Sequence, residues 1–206
     1  MGQRFLRLST TALALFLSAT TADAHIIAAR LGDFYAGALH PLTDLQDVIL
    51  WTALGVLAGS LGAAKGRWLV LLFPIGLLAG LAVARTSDLA LAGPVLDAAC
   101  IVVLGLLLVT RLNLPTPLLA AIAVVLAVIR GAANGGDLDP TTNTILFASG
   151  MAAAGYVAVT LIMAGTVAFS EAGAGAPAGW KVIALRALGS WIAAIGLMMA
   201  GLALTS

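Results

Sequence analysis

The side chains that could do chemistry gather in two short polar stretches of an otherwise apolar chain. The first, His40-Pro41-Leu42-Thr43-Asp44-Leu45-Gln46-Asp47, opens onto the apolar run that begins at Val48. If a helix starts at Pro41, where a missing N–H costs nothing, then His40, Asp44 and Asp47 fall at i, i+4 and i+7 and share one face. One imidazole with two carboxylates is a partial ligand set for a divalent cation, incomplete by itself. Thr43-x-x-Gln46 also reads as a capping box, with Asp44 placed to favour the positive end of the helix dipole. Thr43 and Asp44 are therefore assigned to capping, and His40 and Asp47, which capping does not require, to function.

The second stretch runs from Arg130 to Pro140 and holds Asn134, Asp137 and Asp139. Asp139-Pro140 reads as another helix opening, with Asp139 as its N-cap. A guanidinium at the end of a membrane span either finds an anionic partner or snorkels to the interface. Arg130 has both options, and Asp137 is a candidate partner. Asp97, near the start of a separate apolar run, is the remaining acidic group close to membrane depth, with the headgroup region as its other placement.

The elements that must position these groups are membrane helices. Charged residues make up 9% of the chain and hydrophobic ones 62%, against roughly 25% and 45–50% in a soluble domain, so the chain is an integral membrane protein in contact with a lipid bilayer. Residues 1–24 read as a secretory signal: Arg4 and Arg7, a short apolar run from Leu8 to Ala19, and Ala22-Asp23-Ala24 as the cleavage site. An uncleaved first helix is the alternative. After cleavage His25 is the N-terminus, where an imidazole beside a free amine can chelate a metal or simply be solvated.

The rest, residues 25–206, reads as one all-α domain of six transmembrane spans near Asp44–Leu61, Trp68–Ala84, Val95–Val109, Pro117–Ile129, Thr144–Phe169 and Ile183–Leu204. The fourth is short unless it extends through Ala133 and carries Arg130 inside. The Gly/Ala/Pro-rich stretch Ser170–Lys181 reads as a flexible loop. Lys65, Arg67, Arg111 and Lys181 fall in alternate connections, so the positive-inside rule puts those in the cytoplasm and both termini outside it. Gly55/Gly59, Gly76/Gly80 and Gly131/Gly135 are small-residue pairs that let helices approach closely.

Several functions are excluded or poorly supported. A net charge of +1 with no basic stripe argues against nucleic acid. The single cysteine, Cys100, rules out a disulfide framework within the chain. With two histidines and no nucleophile–base arrangement, phosphate loop or zinc-protease helix, the chain does not read as an enzyme, and no tightly bound cofactor is expected.

The chain resembles the HupE/UreJ family over essentially its whole length. The resemblance rests on the signal ending just before a histidine, His40-Pro41, the acidic Asp97, the Gly/Asn/Asp-rich stretch after Arg130, and Arg186-Ala187-Leu188-Gly189-Ser190-Trp191-Ile192. It implies a small multi-pass protein of the bacterial inner membrane, tied to hydrogenase and urease maturation proteins and acting as a nickel or cobalt permease or accessory. Of the family motif His-Pro-x-x-Gly-x-Asp-His, His40 and Pro41 match, while Asp44, Gln46 and Asp47 stand at the Gly, Asp and second His positions. Of His-Gly-x-Ala-His-Gly-x-Glu, Gly131, Ala133 and Gly135 match and Asp137 stands in for Glu, while Arg130 and Asn134 replace the two histidines. These departures remove imidazoles, which suit nickel, and add a fixed positive charge.

Two functional expectations follow. In one, a divalent ion such as nickel or cobalt moves along a path of His40, Asp47, Asp97, Arg130, Asn134 and Asp137, with His40, Asp47 and Asp137 as metal ligands. In the other, Arg130 pairs with Asp47 or Asp137, and the protein binds a small anion or serves as a structural membrane partner of another complex. A purely structural subunit would need no site.

Overall fold

The computed structural model describes residues 32–87, 91–112, 114–136, 138–171 and 179–205. The signal segment, the N-terminal His25, Asp137 and most of the connection expected to be flexible lie outside the described residues. Among those described, the chain is all-α, with seven helices and no strand: α1 Asp33–Thr43, α2 Leu45–Ser60, α3 Ala63–Thr86, α4 Pro94–Thr110, α5 Thr116–Gly136, α6 Thr144–Glu171 and α7 Gly179–Ala203.

Helices α3, α5, α6 and α7 are each long and apolar enough to cross a membrane, α1 and α2 together make a bent candidate, and α4 is a shorter apolar helix. Their outward faces carry residues that a water-soluble protein would hide, such as Ile75, Leu161 and Leu197, each at least 60% exposed. That is the pattern of a bundle solvated by lipid. The interior is packed around Trp51 and Phe73, whose rings meet edge to face at 5.8 Å.

Glycines decide which helices touch. α3 packs most extensively on α5, α4 on α7, and α6 on both α1 and α2. At the first crossing Gly76 and Gly80 face Ala127 and the Val128 backbone, while Gly131 and Gly135 face Leu77 and Leu81. Gly105 and Gly189 do the same for α4 and α7, Gly37 and Gly150 for α1 and α6, and Gly55 and Gly59 seat α2 on Ile162 and Thr166 of α6. All three small-residue pairs seen in the sequence thus serve contacts within the chain, where dispersion between close backbones replaces the missing hydrophobic force.

Several expected boundaries move. Pro41 does not open a span; it lies inside α1, and the chain bends by 81° between α1 and α2. The fourth expected span does extend, to Gly136, so Arg130 lies within α5. Ser170 and Glu171 belong to α6, and Gly179–Lys181 open α7, so both helices run into the expected loop. Asp139 is not the cap of α6. It accepts from the amide and hydroxyl of Thr141 in a local turn, which hold its carboxyl below the usual range, while Asn143 takes the Leu146 N–H at 3.2 Å.

Candidate functional site: a buried arginine among three carboxylates

The bend at Asp44 builds one wall of the site. Asp44 has an extended backbone (φ −90°, ψ 117°), and its carboxylate accepts the Gln46 N–H at 2.8 Å, so it is the N-cap of α2. The Thr43 hydroxyl instead donates to the His40 carbonyl at 2.8 Å. The expected Thr43/Gln46 capping box therefore does not form, and the cap moves one residue on. For the same reason His40, Asp44 and Asp47 do not share a helix face: His40 belongs to α1, and the two aspartates to the cap and first turn of α2.

A second wall is the start of α4. Pro94 fits its first position, where no N–H is needed, and Asp97 sits in the first turn. The third wall is α5. Gly131 and Gly135 press against α3, so Arg130 and Asn134, one position earlier and also four apart, turn toward α2 and α4.

All four guanidinium contacts lie within one helical turn of those two helix starts. Arg130 Nε donates to Asp47 Oδ1 at 2.8 Å and Nη2 to Asp44 Oδ2 at 2.7 Å. Nη1 is shared between Gln46 Oε1 at 3.0 Å and Asp97 Oδ1 at 2.9 Å. Asn134 Nδ2 closes the cluster, donating to Asp47 Oδ2 at 2.9 Å and to the Arg130 carbonyl at 2.8 Å. The side chains of Arg130 and Asp47 are 3% and 0% exposed, while that of Asp44 is 38% exposed. The planar fork of arginine suits this role, since it can hold several acceptors at fixed angles. Snorkelling is thus not what Arg130 does.

Charge does not balance here. One guanidinium faces three carboxylates, and the N-termini of α2 and α4 add only about half a positive charge each. Negative charge still exceeds positive. The cluster borders a cavity of about 200 Å³ lined by His40, Asp44, Gln46, Asp97, Arg130, Ala133 and Asn134. Within it Asn134 Oδ1 is a buried acceptor with no protein donor. The arrangement can hold a buried cation's charge and can attract a second.

Of the residues singled out from the sequence, His40, Asp47, Asp97, Arg130 and Asn134 come together. Asp137 lies outside the described residues. In the sequence Asp44 and Gln46 read as capping residues, Asp44 also as part of a partial ligand set; in the structure both ligate the guanidinium. The signal for them was present: a buried arginine wants several acceptors, and these two flank Asp47. As to a metal, the described residues contain no group of three or more His, Cys, Asp or Glu arranged to hold an ion. The centre of the carboxylates is occupied by the guanidinium. Because Asp44 is partly exposed, Asp44→Ala should cost about 1–2 kcal/mol, mostly the lost cap, and Asp44→Asn less than that. Denaturant titration of the purified protein measures both.

Fold and site define a class, the multi-pass α-helical membrane protein with a buried arginine–carboxylate cluster. The description "HupE / UreJ protein" matches residues 13–199. "Protein HupE" of Rhizobium leguminosarum bv. viciae is 29% identical over 157 residues, covering 75% of this chain and 78% of that protein. No solved structure matches. The chain belongs to the HupE/UreJ family, which is associated with nickel accessory functions of hydrogenase and urease.

Proposed function

We propose that this HupE/UreJ protein is a non-enzymatic permease or delivery accessory for a divalent transition-metal ion such as nickel or cobalt. Its substrate ion passes the carboxylates of Asp44, Asp47 and Asp97, and Arg130 is their internal counter-ion. The observation that carries this reading is the excess of negative charge around Arg130 at the wall of a polar cavity that also includes His40. Buried charge of this kind in a membrane bundle is costly and marks an ion path more often than a packing contact. The guanidinium and the substrate compete for the same oxygens, so the ion gains access as Arg130 gives up one carboxylate.

The bundle sits in the bacterial inner membrane as six spans, with α1–α2 as the first and α4 as the third, after removal of the signal at residues 1–24. Lys65, Arg67, Arg111 and Lys181 mark the cytoplasmic end, and both termini are periplasmic. Hydrogenase or urease maturation proteins are its partners on the metal's route.

A second reading is favoured by two observations: no metal-ligand trio exists among the described residues, and Arg130 has every nitrogen engaged. In that reading the protein no longer moves metal, Arg130 is a permanent lock, and the chain binds a small anion or braces another membrane complex. Radiolabelled nickel uptake by cells expressing equal amounts of each variant separates the two. Uptake by the wild type that falls at least tenfold in Asp47→Asn supports the first reading. No uptake by a well-expressed wild type, or unchanged uptake in Asp47→Asn, supports the second.

A further inference from the structure

The opposite end of the bundle carries a site of opposite sign. The ends of α2, α4 and α6 and the starts of α3 and α7 come together there. Between them lie two cavities, of about 270 and 210 Å³, that share Ser60 and Arg111. Lys181 lines the first and Lys65 the second, so Arg111 stands between two lysines brought in by different helices. Glu171 is the acidic residue on the wall.

Three further features bear on what this end holds. Arg111 closes α4 in the left-handed region (φ 49°, ψ 39°), the only non-glycine residue with positive φ among those described. Such a backbone is strained for a residue with a Cβ, so the position is held by its surroundings. The first cavity also takes in Gly62 and Ala63, the start of α3, whose N-cap Gly62 has no side chain to satisfy the first N–H groups. Those groups and the helix dipole favour an anion beside the basic residues. Finally, Trp68 and Trp180 are exposed at this end, and the Arg67 guanidinium lies 5.5 Å over the Trp68 ring. Exposed tryptophans with adjacent cations sit at headgroup depth. Arg111 lines both cavities, so a phosphate in either lies beside Arg111 and one lysine.

We propose that Lys65, Arg111 and Lys181 form a binding site for a phosphate group, with Arg111 as the central ligand. Arginine binds phosphate through paired N–H donors, and the lysines add point charges. A phosphodiester of an anionic membrane lipid and free inorganic phosphate present the same chemistry, and basic pockets between membrane helices are known to take lipid headgroups.

The test is native mass spectrometry of the purified full chain offered equal amounts of phosphatidylglycerol and phosphatidylcholine, with and without inorganic phosphate. Phosphatidylglycerol should be retained on the order of tenfold better, and each cation removed should cost roughly fivefold of that preference. Arg111→Gly removes the charge while suiting the left-handed backbone, so it should fold. The half-exposed double variant Lys65→Gln/Lys181→Gln gives a second, independent loss of charge. Arg85→Gln, at the other end, should change nothing. Preference for phosphatidylglycerol that inorganic phosphate cannot displace identifies the lipid as the source. Displacement by inorganic phosphate identifies a soluble phosphate at the same site. Equal retention of the two lipids, or full preference in Arg111→Gly and in the double lysine variant, overturns the proposal.

Discussion

Arg130→Ala should destabilise the bundle by about 3–5 kcal/mol, the usual cost of stripping the partner from a buried ion. The effect is large because Asp47 is fully buried and would keep only the Asn134 amide. Asp97 would lose its close cation as well. The cost lies mostly in the carboxylates left behind, so it should be reversible from their side: adding Asp47→Asn to Arg130→Ala should recover a substantial part. A double-mutant cycle read by thermal unfolding in detergent gives the coupling directly. Arg130→Lys should fall between, since an ammonium keeps the charge but cannot hold four acceptors in a plane. If Arg130→Ala unfolded at the wild-type temperature, the cluster would not be holding α2, α4 and α5 together.

Gly131→Val should be nearly as damaging, by about 3 kcal/mol, the upper end of overpacking costs. A side chain there runs into the backbone of Leu77, which cannot yield as a flexible side chain would. Separating α3 from α5 also turns the neighbouring Arg130 away from α2 and α4, so packing and site fail together. Gly165→Ala is the control: nothing lies near a methyl group at that position, and the change should be within about 1 kcal/mol of neutral. Equal thermal stability of the two variants would contradict this packing.

The bundle itself was legible because apolar runs of membrane length have few alternatives. Expected spans and observed helices differ at their ends, as at Ala63 and Gly136, where polar or small residues continue a helix that hydropathy alone would stop; α1 is a helix the sequence did not suggest, and α4 is shorter than the four clear candidate spans. What misled was local chemistry at prolines. Pro41 and Pro140 both suggest helix starts, because a missing N–H costs nothing at the first position of a helix. The true caps are Asp44 and Asn143, whose side chains reach the N–H groups two and three residues on. Two aspartates and a glutamine sit within four residues, and their sequence spacing does not reveal that an 81° bend removes His40 from their helix.

The pairing of Arg130 with Asp47 could be anticipated, because a buried guanidinium at membrane depth needs an anion. The arrival of Asp97 could not. It depends on how α4 is seated against α2, a packing between helices far apart in the sequence. The same holds for the basic end: Lys65, Arg111 and Lys181 are visible as a charge bias between connections, but only the packing of the helix ends brings them around two cavities that share Arg111.

The central claim is that three carboxylates sharing one guanidinium keep enough negative charge to take a divalent ion. Equilibrium binding of radiolabelled nickel to the purified, folded protein tests it most directly, with the wild type beside Asp47→Asn and Asp97→Asn. Saturable binding by the wild type, weakened at least tenfold in each variant and competed by cobalt, is the expected result. A folded wild type that binds no nickel, or variants that bind as the wild type does, would contradict it and leave Arg130 as a lock rather than a counter-ion.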